Sequence, residues 1–496
     1  MPAEPTVLAE GDGQHPAEPT GPPEHDDRAP EDRPAPRRSG WASLRPLVLR
    51  LHFYAGVLIA PFLLVAAVTG LLYAGSFQAE KIVYADELRV PVASDGHELP
   101  LSRQIAAARA AHPEGTISAV RPAPEDGDTT RVLLSGVPGV DPDRTLAVFV
   151  NPYTGEVRGA LEQYGSGGAL PLRTWIDELH RDLHLGEPGR LYSELAASWL
   201  WVIAGGGLVL WFARRGAQRK VRGTTGRRRT LSLHGSVGVW AALGLFVLSA
   251  TGLTWSTYAG ASIGDLREAV GQTTPAVSAS VTPGAEAGAG SGGEHAGHGG
   301  AGGPGAGPAG AGDAADVGFD AVLKSAREQG LSNPVEIVPP ADASSAYVVR
   351  QIGRSWPEKQ DSVAVNPANG EVTDVLRFDD FPLLAKVTRW GIDAHTGTLF
   401  GLANQIVLAA LALCLVLLIV WGYRMWWQRG RGSSFGRPLP RGAWRDVPPY
   451  VLVPAMAAIA VLGYFVPLLG IPLAVFLAVD IALGEIAYRR GKRSYA

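Results

Sequence analysis

The sequence predicts a membrane α-helical bundle, with four core helices and a C-terminal hairpin, that carries two α+β modules outside the cytoplasm. Three observations support this architecture. The 496 residues are 46% hydrophobic and only 18% charged, which is apolar for a soluble protein. Apolar stretches of about 20 residues recur, and that length crosses a bilayer. The motifs of the first half return in the same order in the second half, so helices and modules come in two copies.

Four apolar segments are long enough to span a bilayer, and a fifth stretch fits a pair of shorter spans. The four clear segments are Leu47–Tyr73, Leu195–Ala213, Leu233–Trp255 and Leu402–Trp421. The fifth stretch, Tyr450–Tyr488, is interrupted by Pro467 and Pro472. We therefore expect two short spans joined by a Pro-Gly-Pro turn, and six spans in all.

Basic residues set the expected orientation, because cytoplasmic loops of membrane proteins are enriched in Lys and Arg. Arginine-rich clusters precede the first span, separate spans two and three, follow span four and end the chain. All four clusters fall on one side, which we take as cytoplasmic. This places a multi-pass protein in the inner or plasma membrane with both termini inside. Nucleic-acid binding is not expected, since the topology rule accounts for every cluster.

These expectations divide the chain into successive segments. They are a disordered tail (1–44), span one (45–75), module one (76–190), span two (191–214), a basic loop (215–230), span three (231–257), module two (258–396) with a Gly/Ala-rich insertion (271–315), span four (397–424), a second basic loop (425–449), the hairpin (450–488) and a basic tail (489–496). The tail has no early apolar region of the kind a signal peptide needs, so span one is expected to act as an uncleaved anchor.

Each module is predicted to begin with a helix and continue in strands. The predicted elements are Leu101–Ala111, Thr116–Val120, Arg131–Leu134 and Leu146–Val150 in module one, and Phe319–Gln329, Val335–Val338, Tyr347–Gln351 and Ser362–Val365 in module two. The motif Asn-Pro-x-x-Gly-Glu-Val follows the last of these strands in both modules, at 151–157 and 366–372. Proline fixes one φ and glycine permits a positive one, so both copies predict a turn.

Four histidines recur at matching places in the two copies. His52 and His234 lie near the cytoplasmic ends of spans one and three, and each is followed 17 residues later by Thr-Gly-Leu. His180 and His395 precede spans two and four, and each is followed six residues later by glycine. A pseudo-twofold axis along the membrane normal would bring each pair together. Two facing imidazoles can ligate a six-coordinate b-type haem, so two haems are expected, one near each membrane face.

Other interpretations of these histidines remain open. A histidine near a helix end is often an interfacial or hydrogen-bonded residue, zinc also accepts imidazole ligands, and buried histidines can relay protons. His184 follows His180 by four residues, on the same face of a continued helix, and could replace it as the outer ligand. The absence of an equivalent histidine after His395 favours His180.

The chain resembles the PepSY-associated transmembrane family, which includes iron-regulated membrane proteins and ferric-siderophore reductases. The resemblance covers about 45–425. It rests on the motifs at 50–56, 151–157, 179–189 and on their counterparts through 395–397. It implies two PepSY-like modules, and haem iron held by His52, His234, His180 and His395. Residues 426–496 and the Gly/Ala-rich insertion have no counterpart in the resemblance.

The expected function is therefore electron transfer through two haems to an acceptor outside the cytoplasm, most simply a ferric chelate or siderophore. The sequence has no dinucleotide fingerprint, so the donor is expected to be a separate cytoplasmic flavoprotein or quinol. The alternative is a non-enzymatic PepSY protein that senses ligands or restrains an outer-face peptidase. Catalytic residues beyond the haem ligands are not indicated.

Overall fold

The computed structural model describes residues 40–93, 96–214, 226–282, 316–429 and 447–493. The predicted tail lies almost wholly outside the described residues. So do most of the two basic loops and most of the Gly/Ala-rich insertion. In chain order the helices are α1 (Gly40–Leu58), α2 (Ala60–Val83), α3 (Ala85–Leu88), α4 (Leu101–Ala111), α5 (Pro171–Asp182), α6 (Glu187–Phe212), α7 (Arg227–Leu253), α8 (Tyr258–Ala269), α9 (Gly318–Glu328), α10 (Leu383–Thr396), α11 (Gly401–Arg429), α12 (Pro449–Phe465) and α13 (Pro467–Arg493). The strands are β1 (Thr116–Arg121), β2 (Thr130–Ser135), β3 (Arg144–Val150), β4 (Val157–Tyr164), β5 (Val335–Val338), β6 (Tyr347–Gln351), β7 (Ser362–Val365) and β8 (Val372–Leu376).

Five helices in the described part of the chain are long and apolar enough to cross a membrane. They are α2, α6, α7, α11 and α13, and the helix α12 is a shorter apolar helix of 17 residues. The molecule is thus a helical membrane protein with an antiparallel sheet. The fifth expected span, the first of the hairpin, corresponds to the shorter helix α12.

The long helices pack into one bundle. The helix α6 packs against α1 and α7, and α11 packs against α2 and α7. Their shared core includes Leu63, Trp199, Leu245 and Leu418. The C-terminal helix α13 adds Leu469 and packs on α6, so the hairpin is joined to the bundle.

Two prolines inside apolar segments have their lost hydrogen bonds replaced by side chains. Proline lacks an N–H, so the carbonyl four residues earlier has no helical donor. The Val57 carbonyl, four residues before Pro61, accepts from the Tyr423 hydroxyl at 2.9 Å. The Leu468 carbonyl, four residues before Pro472, accepts from Trp199 Nε1 at 3.2 Å.

These prolines also explain two differences from the expected segments. The first span is divided at Ile59 into α1 and α2, and α2 continues to Val83, beyond the expected end at residue 75. The hairpin turns at Val466, and Pro472 lies inside α13. The expected Pro-Gly-Pro turn is therefore wrong, because the second proline is accommodated within a helix.

The eight strands form a single antiparallel sheet in the order β4-β3-β2-β1-β5-β6-β7-β8. Each half contains four consecutive strands from one copy of the repeat, and the halves meet where β1 pairs with β5 at Val120 and Ile337. The predicted strands of the second half are confirmed with the same bounds, and those of the first half within two residues. The edge strands β4 and β8 were not predicted. They contain glycine or alternate polar residues, so their apolar pattern is weak.

The two Asn-Pro-x-x-Gly turns form as expected. The Asn151 side chain accepts a hydrogen bond from the Tyr153 N–H at 2.9 Å, and Asn366 accepts one from Ala368 at 2.9 Å. The glycines that follow, at 155 and 370, have φ of +76° and +74°. Each turn links the last predicted strand of its copy to the edge strand.

Side chains reinforce the joint between the halves. The Asp320 carboxylate of α9 accepts hydrogen bonds from the first N–H groups of α4, at Leu101 and Ser102. Glu336 of β5 is buried between Arg121 of β1 and Arg350 of β6. Burial alone would raise the pKa of Glu336, but the two guanidinium groups hold it at about 2.

Candidate functional site

At the end of the bundle far from the sheet, the first pair of predicted histidines comes together. His52 lies on α1 and His234 on α7, and their ring centroids are 6.3 Å apart with the planes inclined at 76°. These residues lie 182 positions apart in the chain, so the contact depends on the two copies packing side by side.

Each of these rings is held by a backbone carbonyl from the second span of its own copy. His52 Nδ1 lies 2.9 Å from the Ile203 carbonyl of α6, and His234 Nδ1 lies 3.0 Å from the Leu418 carbonyl of α11. A carbonyl can only accept, so Nδ1 carries the proton in both rings. The lone pair of each neutral imidazole is then on Nε2.

Glycines let α6 approach the His52 ring. A Cβ added to Gly207 would lie 3.2 Å from His52 Cε1, and one added to Gly206 would lie 3.6 Å from His52 Nδ1. A larger residue at Gly207 would require the ring to move. Gly206 and Gly207 thus serve as clearance for this histidine, whereas Gly205 faces Phe246.

At the sheet end of the bundle, His180 of α5 is held by Thr69 of α2. The Thr69 hydroxyl lies 2.9 Å from His180 Nδ1 and donates its own proton to the Val65 carbonyl, also at 2.9 Å. With the Thr69 proton on the Val65 carbonyl, the hydroxyl oxygen accepts a hydrogen bond from His180 Nδ1. A Cβ added to Gly70 would lie 3.2 Å from His180 Cε1, so this glycine also gives clearance.

His395 of α10 has the same environment in the second copy. The Thr251 hydroxyl lies 2.8 Å from His395 Nδ1 and donates to the Val247 carbonyl at 2.6 Å. A Cβ added to Gly252 would lie 3.5 Å from His395 Cε1. The recurring Thr-Gly of the sequence therefore has a definite use, since threonine fixes the tautomer and glycine makes room for the ring.

An aromatic residue also lies beside each of these two histidines, and the sequence reasoning missed it. The Tyr73 ring stacks on His180 at a centroid distance of 6.4 Å, and the Trp255 ring meets His395 edge-on at 5.4 Å. Both aromatics follow the threonine of their copy by four residues. That shared spacing was the signal that could have found them.

His180 lies outside the membrane-spanning helices, near the C-terminal end of α5. Burial lowers the pKa of His180, and the nearby Asp177 carboxylate opposes this only in part. The ring is therefore neutral near pH 7, which is the form that can ligate a metal.

His184 does not lie on the helical face of His180, because α5 ends at Asp182 and the backbone at 183 and 184 is left-handed. Its ring packs on Trp175 at 5.0 Å, and Nδ1 lies 3.4 Å from a Glu178 carboxylate oxygen. The expectation that His184 shares a helical face with His180 is thus wrong. The role of His184 as an alternative ligand stays a prediction without that geometric support.

Within the described ranges, no three or more His, Cys, Asp or Glu side chains are grouped so as to hold a metal ion. The histidines instead recur as equivalent members of two copies. His52, in the pair far from the sheet, and Thr69, which contacts His180, are 17 residues apart along α1 and α2. This corresponds to about 25 Å at the rise of a helix.

Comparison with known proteins agrees with this organisation. No curated protein matches the chain. The family model described as the PepSY-associated TM region matches residues 49–429, which takes in all four histidines and both halves of the sheet. The C-terminal hairpin lies beyond the match. The chain therefore belongs to the PepSY-associated transmembrane family.

Proposed function

We propose that this protein transfers electrons across the membrane through two b-type haems and reduces an acceptor outside the cytoplasm, most simply a ferric chelate. One observation carries the proposal. All four repeated histidines have Nδ1 beside an oxygen that can accept a hydrogen bond, and a proton on Nδ1 leaves the lone pair on Nε2. Metal-ligating histidines typically donate their other N–H in this way.

The distance between the rings of His52 and His234 fits one metal bound between them. With metal–nitrogen bonds of about 2.0–2.1 Å, two imidazoles on opposite sides of one metal would have ring centroids roughly 6 Å apart. The observed separation of His52 and His234 is 6.3 Å. Two imidazoles are also the ligand set of a six-coordinate haem, whereas zinc would need further ligands.

The glycines let a helix backbone approach three of the four histidines. Small residues in membrane helices allow close approach of backbones or of a planar group. Here Gly207, Gly70 and Gly252 bring a helix backbone against the edge of a ligand histidine. The contacted atom is Cε1, which lies between Nδ1 and Nε2, so the ring is oriented before any group binds.

A bound haem would supply one-electron redox chemistry at each pair. The protein's own contribution is to hold four neutral imidazoles in one tautomer, at two depths about 25 Å apart along the helices. Tyr73 and Trp255 lie beside the sheet-end histidines. The direction we propose is from the arginine-rich side to the side that bears the sheet.

The electron donor in this proposal is a separate cytoplasmic flavoprotein or membrane quinol, and the acceptor reaches the sheet end of the bundle. The lipid bilayer surrounds the five apolar helices. Four core helices in two repeats, each with one PepSY-like module between its two helices, would account for the symmetry of the histidine sites.

Vesicles reconstituted with the purified protein test the function. A reductant trapped inside should reduce ferric chelate added outside, and the rate should fall to that of empty vesicles for a His52→Ala variant. Protein that contains haem but moves no electrons would contradict the transfer function. Protein that takes up no haem would instead favour the ligand-sensing or peptidase-restraining alternative.

A further inference from the structure

Four arginines from three parts of the chain converge on one loop at the sheet end of the bundle. The loop is 165–168, between β4 and α5, and the arginine cluster consists of Arg121, Arg131, Arg173 and Arg354. Arg121 donates to the Ser166 carbonyl at 3.2 Å, and Arg354 donates to the Ser166 hydroxyl at 2.9 Å. Arg173 and Arg131 donate to the Gly168 carbonyl at 2.9 and 3.5 Å.

Three carboxylates, Glu80, Glu336 and Asp393, pair directly with the four arginines. Arg173 has its own partner, Glu80, to which it donates through Nε at 3.0 Å and Nη2 at 3.2 Å. Glu336 serves Arg121 but also Arg350. The carboxylate of β5 is thus divided between two cations.

The same holds around Arg354. Its partner Asp393 lies at 3.4 Å and also pairs with Arg389 at 3.1 Å, and Arg389 in turn contacts Glu358. Burial and the neighbouring Arg389 charge lower the pKa of Arg354 to about 10. A cation in these surroundings is only partly compensated.

Arg131 has no direct carboxylate partner among the residues that the structure describes. Its guanidinium donates to Gln163 at 3.2 Å and lies 5.3 Å from the centre of the Phe149 ring. Burial, and next the Arg121 charge, lower its pKa to about 10. Arginine stays charged at this pKa, so near neutral pH Arg131 adds a positive charge to the cluster, which Glu80 and Asp128 offset only through space.

The cluster lies directly outside the sheet-end histidines. Arg173 and Arg354 are close enough to the Tyr73 hydroxyl to interact with it electrostatically, and the Tyr73 ring stacks on His180. Arg354 also contacts Asp393, which precedes His395 by two residues. Arg354 therefore links the surroundings of both histidines.

The cluster is also near solvent. Ser166, which Arg121 and Arg354 contact, is exposed at the tip of its loop. Ser355 and Trp356, next to Arg354 in the chain, are exposed as well, and 56% of Trp356 is accessible. The hydrogen bonds from Arg121 and Arg354 to Ser166 thus lie at the protein surface.

We propose that the arginine cluster is a carboxylate-binding site at the entrance to the sheet-end histidines. Guanidinium groups bind carboxylates through paired, charge-assisted hydrogen bonds, and such bonds are stronger where water is largely excluded. The inference deepens the proposed function and rests on it, because the carboxylates belong either to a ferric chelate that docks here or to the side chains of the haem bound at His180 and His395.

The test uses the purified full-length protein with Arg354→Gln and Arg131→Gln, and Arg144→Gln as the matched control. Arg144 is a half-buried arginine of the same sheet that pairs with Glu162 and Glu178 and is not part of the cluster. Binding of ferric citrate and of an uncharged ferric trihydroxamate is measured by calorimetry, and the midpoint potentials of the haems are measured by redox titration.

If the carboxylates are those of the acceptor, both cluster variants should bind ferric citrate roughly tenfold or more weakly, while trihydroxamate binding stays unchanged. If they are those of the haem, citrate binding should be unaffected and the potential of one haem should fall, because removal of a positive charge favours the oxidised form. Either result supports the site.

Cluster variants that match Arg144→Gln in every measurement would overturn the site. A second result would also overturn the site. If Arg354→Lys and Arg131→Lys lower the stability of the protein to denaturation as much as the glutamine variants do, the arginines have only a structural role. Citrate binding does not need haem. A wild-type protein that takes up no haem but binds ferric citrate would therefore retain the site and contradict the proposed electron transfer.

Discussion

The threonine behind each sheet-end histidine gives the most informative substitution. Thr69→Val keeps the size of the side chain and removes the hydroxyl that accepts from His180 Nδ1 at 2.9 Å. The ring can then place its proton on either nitrogen and can turn. We expect weaker haem binding at this site, because loss of such a supporting partner typically reduces metal affinity by about 10–100-fold.

That range corresponds to about 1.4–2.7 kcal/mol. It agrees with the loss of one hydrogen bond whose donor remains buried, about 1–3 kcal/mol. The assay is a haem titration of apoprotein followed in the Soret band. It should show one site with wild-type affinity and one site weakened by this factor.

Two controls separate the tautomer from helix packing. Thr69→Ser keeps the hydroxyl and should bind haem as the wild type does. Thr388 of α10 makes the same bond to the carbonyl four residues earlier, at 2.7 Å to Leu384, but its side chain has no bond to a histidine. Thr388→Val should leave both sites intact. Equal affinities for Thr69→Val and Thr388→Val would refute the role of the hydroxyl.

Three further predictions concern pairing, the sheet joint and orientation. His52→Ala and His234→Ala should each remove the same haem and leave like spectra, and unlike losses would separate the two histidines. Glu336→Gln should destabilise the modules by about 2–3 kcal/mol, because the pKa of Glu336 is about 2 in the folded state and near 4.3 in the unfolded state. This stability is present above the unfolded pKa and is lost as pH falls toward 2. A denaturation midpoint equal to the wild type at pH 7 would argue against the buried pairs. With the natural cysteine replaced by serine, Ser166→Cys should react with an impermeant thiol reagent on intact cells and Thr225→Cys should not, and the reverse pattern would invert the electron flow.

The regular elements could be predicted because their patterns are local. Apolar length identified the spans, and alternating Val-rich runs identified the inner strands such as Val335–Val338. The single sheet could not be predicted. Its two halves join through one short pairing, at Val120 and Ile337. The residues of β1 and β5 carry no pattern that predicts pairing with a strand more than 200 residues away.

The histidine sites could also be predicted in part from the sequence. The repeat indicated which histidines are equivalent, and the contact of His52 with His234 agrees with their predicted pairing. The end of α5 before His184 was missed, because Leu183 has a left-handed backbone conformation that leucine rarely adopts. The arginine cluster was also missed, since its members come from separate strands and loops and share no motif.

The central claim is that each pair of repeated histidines holds a haem. Haem quantitation as the pyridine complex, on protein purified after haem-replete expression, tests it most directly. The account predicts a b-type spectrum with two haems per chain, one haem after either member of a pair is replaced by alanine, and none after one member of each pair is replaced. A wild-type value near zero, or a content that does not change on removing His180 or His395, would contradict it.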